Sequence, residues 1–169
     1  VPVTKGMNKI EDPSGSVPIV FYDTEGYETT SANEQNNTNF EQSIIPEFEK
    51  LQKKNLDEQI HIVWYCISIA NHRVTPYDIK NIKYFKDNGY KVAIVFTKCD
   101  TDEELDDGSG KDASKFKDII KDKIGPMNFF ETTSNESMKL DIDALLEWSV
   151  SQLDGEHLRQ AFVSAQISS

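Results

Sequence analysis

Cysteine is scarce in this chain, with Cys66 and Cys99 as its two thiols. Two cysteines beside apolar runs make no disulfide framework and fit a reducing, intracellular compartment. Long apolar runs are absent as well. The longest, Ile60 to Ala70, is interrupted by His61 and Ser68 and falls short of the roughly 20 residues that cross a bilayer. Val1-Pro2-Val3-Thr4 lacks the charged-then-apolar order of a signal peptide. A cytoplasmic location is therefore expected. Positive charge is in deficit: 18 Lys and Arg stand against 29 Asp and Glu, a formal net charge of −11. That balance disfavours a nucleic-acid backbone or an anionic membrane as partner. Any membrane association is expected only through regions outside the chain. The three histidines, His61, His72 and His157, have no Cys or His at metal spacing, so a zinc site is not expected.

What is present is the pattern of one soluble domain. A chain of 169 residues buries about 70% of its unfolded surface, enough to fold without staples. Its 37% hydrophobic and 28% charged residues are an ordinary globular balance. Four apolar runs read as strands: Val17 to Tyr22, Ile60 to Ile69, Lys91 to Phe96 and Met127 to Phe130. The first three are β-branched and aromatic rather than alternating, as in a parallel sheet covered on both faces. Met7 to Glu11 predicts a short edge strand, turned by Asp12-Pro13-Ser14-Gly15 into a hairpin with the Val17 run.

Helical stripes lie between the runs. They are Phe40, Ile44, Ile45, Phe48 and Leu51; Ile79, Ile82 and Phe85; Phe116, Ile119, Ile120 and Ile124; and Ile142, Leu145, Leu146, Val150 and Leu153. Thr75 caps the second, Pro76 fits its first turn and Gly89 stops it. Gly125-Pro126 ends the third and Gly155 the fourth. Strand and helix alternate, which predicts an α/β fold, doubly wound, with a mostly parallel sheet and helices on both faces. The polar stretches Glu28 to Asn39 and Thr101 to Asp112 read as mobile surface loops. Residues 154–169 read as an amphipathic helix or a linker to a downstream region, after a domain spanning 1–153.

In open α/β sheets, ligands bind past the carboxyl ends of the strands. Three such ends carry polar residues: Asp23-Thr24-Glu25-Gly26, Thr97-Lys98-Cys99-Asp100, and Glu131-Thr132-Thr133-Ser134-Asn135. In the first, Asp23 suits a hydrated Mg²⁺, and Gly26 offers a backbone N–H that approaches a γ-phosphate with no Cβ in the way. In the second, the Asp100 carboxylate suits the N1–H and 2-amino donors of guanine, a pair that adenine lacks. Hydrogen bonds to a charged group contribute roughly 1.5–3 kcal/mol each, enough to select the base. The Lys98 stem can lie over the base plane. In the third, Thr133-Ser134-Asn135 can offer a backbone N–H to the guanine O6.

The order Asp-x-x-Gly, then Thr-Lys-x-Asp, then Thr133-Ser134-Asn135 resembles the G domains of translation-factor-like, Era-like and septin-like GTPases, over residues 1 to about 153. The resemblance implies a Mg²⁺-dependent switch that binds GTP and GDP and hydrolyses GTP. It gives nucleotide contacts to Gly26, Thr97, Lys98, Asp100, Thr133, Ser134 and Asn135, and Mg²⁺ to Thr4 and Asp23, with Thr4 at the end of a switch segment. No catalytic residue is assigned by it. Two departures stand out. The phosphate-cradling loop Gly-x-x-x-x-Gly-Lys-Ser/Thr does not occur in the 169 residues. The chain begins without Met, so a longer protein is expected, with that loop, the first strand and the first helix upstream and a gap left between the Val17 and Ile60 strands. The residue after Gly26 is Tyr27, where Ras-like GTPases use a glutamine to orient water, so intrinsic hydrolysis is expected to be slow. The 169 residues alone are expected to bind nucleotide weakly. A non-catalytic pseudo-GTPase that binds itself or another protein is the alternative. A phospho-acceptor receiver built on Asp23 and Lys98 would need an acidic pair after a first strand, which the chain does not show.

Overall fold

A computed structural model describes residues 7–10, 21–24, 40–55, 59–71, 73–138 and 140–153. The chain divides into two units, 1–60 with 153–169, and 61–152. In the first unit β1, Met7–Ile10, pairs antiparallel with β2, Phe21–Thr24. β1 falls in the expected Met7 to Glu11 segment, whereas β2 overlaps the expected Val17 to Tyr22 run only at Phe21 and Tyr22; residues 11–20 lie outside the described residues. A single π-helical turn, Phe40–Ile44, runs into α1, Ile45–Leu51, with Pro46 in its first turn. Pro is tolerated there because the first N–H groups of a helix lack intrahelical acceptors. Ile44, Phe48 and Leu51 are buried, the four-then-three spacing of one helix face. The Gln52 side chain closes the following turn: its Oε1 accepts from Ile60 N at 2.8 Å, and its Nε2 donates to Ile60 O at 3.3 Å.

The second unit holds a three-stranded parallel sheet in the order β3-β4-β5, made of Ile62–Ser68, Lys91–Thr97 and Asn128–Glu131. Its middle strand, β4, buries five consecutive residues, Val92 to Phe96. A run without alternation is what a strand covered on both faces requires. The remaining helices do the covering. They are α2, Pro76–Asp87; α3, Lys111–Lys123; and α4, Ile142–Gln152. On one face Tyr65 donates to Asp78 of α2 at 2.8 Å, and the Phe96 ring packs against Phe116 of α3 and lies parallel to Phe129. On the other face Ala93, Val95 and Phe130 form a core with Leu145 of α4, and Trp148 packs against it. Tyr65 and Trp64 are successive in β3 and so point to opposite faces. Trp64 accordingly bonds α4, donating to Ser149 Oγ at 3.0 Å. An α/β unit with helices on both faces of a parallel sheet is thus observed.

Local signals account for the ends of α2. The Thr75 hydroxyl accepts from Asp78 N, and the Asp78 carboxylate takes the Thr75 N–H at 2.8 Å and its hydroxyl at 2.9 Å. This reciprocal box satisfies two donors that the helix start would leave open. Past the other end Gly89 sits at φ +82°, a conformation that only glycine adopts cheaply.

Three sequence expectations change. Asp23 and Thr24, expected just past a strand end, lie within β2, which pairs with β1. Ile142, assigned to a buried stripe, is 44% exposed; of that stripe Leu145 is buried in α4, and Ser149, outside it, is the other buried residue of the helix. The Thr101 to Asp112 stretch is no loose loop. Glu104 bridges Gly110, Leu105 N donates to Ser109 O at 2.7 Å, Gly108 N to Leu105 O at 2.9 Å, and Lys111 N to Glu103 O at 2.7 Å.

Acidic side chains anchor this small hairpin to the first turn of α3. Asp102 accepts from Asp112 N at 2.9 Å and Ala113 N at 3.0 Å. Glu131 accepts from Gly110 N at 2.9 Å and pairs with Lys117 at 3.1 Å. Carboxylates at a helix start satisfy open N–H groups and complement the dipole. A Cβ on Gly110 would collide with Asp102 Oδ2 and Glu131 Oε1. Gly110→Ala is therefore expected to lower stability by about 1–3 kcal/mol, as overpacking does. Chemical denaturation checks this; an unchanged midpoint would show that the anchor is not needed.

Candidate functional site

Two of the three polar strand ends meet in the second unit. β4 and β5 are parallel neighbours, with Phe96 opposite Glu131, so the residues after them emerge side by side at the carboxyl edge. Thr132 binds the two loops together. Its N–H and its hydroxyl both donate to Phe96 O at 2.8 Å, and its carbonyl accepts from Cys99 N at 3.0 Å. Thr132 is buried, and each of these polar groups needs such a partner.

Beyond that buried knot the site opens. The Thr133 hydroxyl donates to Asp100 Oδ1 at 2.7 Å. Among the described residues, Asp100 Oδ2 accepts no hydrogen bond, and the residue is exposed. A carboxylate has about four lone-pair sites, so Asp100 keeps capacity for a pair of ligand donors while Thr133 fixes its rotation. Asn135 N donates to Thr133 Oγ1 at 3.1 Å, and the Asn135 side chain accepts from the Ser137 N–H and hydroxyl. Thr133 is half-buried, whereas Ser134 and Asn135 are exposed. Thr97 is half-buried at the end of β4.

Lys98 is exposed and lies at φ 57°, ψ 35°, the one non-glycine residue with positive φ among those described. A left-handed L-residue costs about 1–2 kcal/mol. The conformation is held because Thr101 N and Thr101 Oγ1 both donate to Lys98 O, at 3.0 and 2.7 Å. The next residue, Asp102, is anchored on α3.

Sequence-predicted residues thus divide. Thr97, Lys98, Asp100, Thr133, Ser134 and Asn135 occupy two adjoining loops of one sheet edge. Asp23 is the third residue of β2, opposite Asn8 in the hairpin of the other unit. Thr4 and Gly26, like Tyr27 and the Glu28 to Asn39 stretch, lie outside the described residues. Among the described residues no group of three His, Cys, Asp or Glu is arranged to hold a metal ion. No described helix is long and apolar enough to cross a membrane. Thr101, Asp102 and Thr132 were not anticipated. Asp102 had a signal, since Gly110 sits where a side-chain cap is expected and supplies none.

Two helix starts near this edge are capped by the chain's own side chains. Asp102 occupies the first turn of α3, and the Thr75–Asp78 box occupies that of α2. Asp102 thus takes the Asp112 and Ala113 N–H groups of α3, and the box takes the Asp78 N–H of α2; the side chains at the edge are an oriented carboxylate, a lysine and loop hydroxyls. That set suits a flat polar ligand with paired donors.

No protein-family model, curated protein or solved structure matches the chain.

Cys99 lies under the site, 5% exposed, with its Sγ 3.4 Å from Phe96 O. Burial pushes its thiol up to about 12 from 9.0; Glu131, Asp102 and Asp141 add to the rise, and a backbone bond with Thr132 opposes it. Between those values the unfolded chain releases the proton while the folded chain keeps it. Native stability is therefore expected to fall as pH rises from about 9 towards 12, by at most about 1 kcal/mol per pH unit. Denaturation series on the native protein and Cys99→Ala check this. Equal pH slopes for the two would refute the assignment.

Proposed function

We propose that this chain is part of a guanine-nucleotide-binding switch module, in which Asp100 reads the base. One observation carries the reading: the hydrogen bond from Thr133 to Asp100, at 2.7 Å. It unites two segments that the sequence offers separately for base recognition. In the proposed site Asp100 accepts from guanine N1–H and the 2-amino group. The Lys98 stem lies against the base, and the Thr133-Ser134-Asn135 loop presents a backbone N–H to O6. Adenine would leave the carboxylate without its donor pair.

The parallel order of β3, β4 and β5, with helices on both faces, is compatible with the same reading. By the family resemblance, the phosphates fall to other residues. Thr4, Asp23 and Gly26 are the candidates for Mg²⁺ and the γ-phosphate, with GTP and GDP as alternating ligands. Tyr27 implies slow intrinsic hydrolysis. A second reading, a pseudo-GTPase acting as a protein-interaction module, is favoured by Tyr27 and by the lack of a Gly-x-x-x-x-Gly-Lys-Ser/Thr sequence in the 169 residues.

Calorimetry on the intact protein separates these readings. Binding of GDP but not ADP is expected. Asp100→Asn should weaken GDP roughly 10- to 100-fold, the loss of a charge-assisted bond of about 1.5–3 kcal/mol, and should improve xanthosine diphosphate, whose 2-oxo group accepts from a carboxamide. Failure to bind either guanine nucleotide would sink the base-reading role. For a protein that does bind, single-turnover hydrolysis of GTP is expected to be slow, and a fast unassisted rate would contradict the role given to Tyr27.

A further inference from the structure

The left-handed Lys98 is not stable by its own preference, since side chains with a Cβ rarely occupy that region. Something must hold it, and the two bonds from Thr101 to the Lys98 carbonyl are the contacts that do. We infer that Thr101 is a positioning residue for base discrimination, clamping the Lys98–Asp100 turn so that the lysine stem and the carboxylate face one ligand plane. This rests on the function proposed above and adds to it a residue outside the assigned nucleotide contacts.

The turn is pinned at its other points. Cys99 N is taken by Thr132 O, Asp100 Oδ1 by the Thr133 hydroxyl, and Asp102 by the first turn of α3. Residues 99, 100 and 102 are therefore tied to separate elements. The Lys98 carbonyl is the one part of the turn whose orientation depends on a side chain inside the turn itself. Removing the Thr101 hydroxyl leaves the weaker N–H bond, at 3.0 Å against 2.7 Å. Lys98 can then relax towards ordinary backbone angles, carrying its stem away from the base, which is left free to tilt so that its 2-amino group no longer meets the pinned Asp100 carboxylate. Thr101 is exposed, and Asp102 keeps its hold on α3, so the change stays local.

The test compares GDP with inosine diphosphate, which keeps N1–H and O6 but lacks the 2-amino group. Thr101→Val preserves shape and the N–H while deleting the hydroxyl. In the intact protein it is expected to lower the GDP over inosine diphosphate preference about tenfold, the order of one hydrogen bond, with the melting temperature little changed. Thr101→Ser restores the hydroxyl and is expected to restore the preference. Amide exchange in the nucleotide-free protein gives a second readout: the residue-101 amide should exchange faster in Thr101→Val and normally in Thr101→Ser, while the Cys99 amide, held by Thr132 O, stays unchanged. An unchanged preference in Thr101→Val, or a lowered melting temperature with the preference kept, overturns the inference while leaving the function intact. Absence of guanine nucleotide binding by the unmutated protein defeats the function itself, and with it this role for Thr101.

Discussion

The candidate site depends on one carbonyl. Phe96 ends the buried run of β4, and its oxygen accepts both the N–H and the hydroxyl of Thr132. Those two bonds join the end of β4 to the end of β5, and the return bond from Cys99 N to Thr132 O closes the link. The cost of leaving buried polar groups unpaired makes the link stiff. Everything exposed above it inherits that stiffness. Asp100 and Thr133 can share a hydrogen bond because the residues before them are locked together.

Beneath this link lies an apolar frame. Phe96, Phe116 and Phe129 pack on one side of the sheet, and Ala93, Val95, Phe130 and Leu145 on the other. Beside it lies a polar one, in which Asp102 and Glu131 hold the start of α3 around Gly110. The acidic residues near the edge are therefore largely structural. They consume N–H groups that would otherwise attract an anion, and they leave Asp100 as an exposed acceptor. An open carboxylate at this edge favours a ligand that brings hydrogen-bond donors.

Part of this was legible in the sequence. Strand runs at Ile60 and Lys91 were found because unbroken apolar stretches of that length mark covered strands. The start of α2 was found because Thr75-Pro76 is a local signal. The positions of Asp100 and the Thr133 loop after two strands were legible from the apolar runs before them, and the structure joins them by a hydrogen bond. The Thr101 to Asp112 stretch misled because its composition, acidic with Gly108 and Gly110, is that of a mobile loop. Its order comes from backbone bonds and from partners on α3 and β5. Ile142 misled because periodicity marks an apolar residue without stating where its helix meets the sheet.

The sequence by itself determined what acts within a turn or two of chain. That includes the alternation of strands and helices, the cap of α2, the glycine that ends it, and the types of residue at each strand tip. Only the tertiary structure decided which tips meet and how they are held. Thr133 and Asp100 are 33 residues apart, Thr132 and Phe96 are 36, and Asp102 reaches its α3 partners across 10 and 11. Propensity and periodicity carry no information over such separations. The parallel register of β4 and β5 and the docking of α3 bring these groups within bonding distance, and the penalty for burying an unpaired polar group then selects the partners.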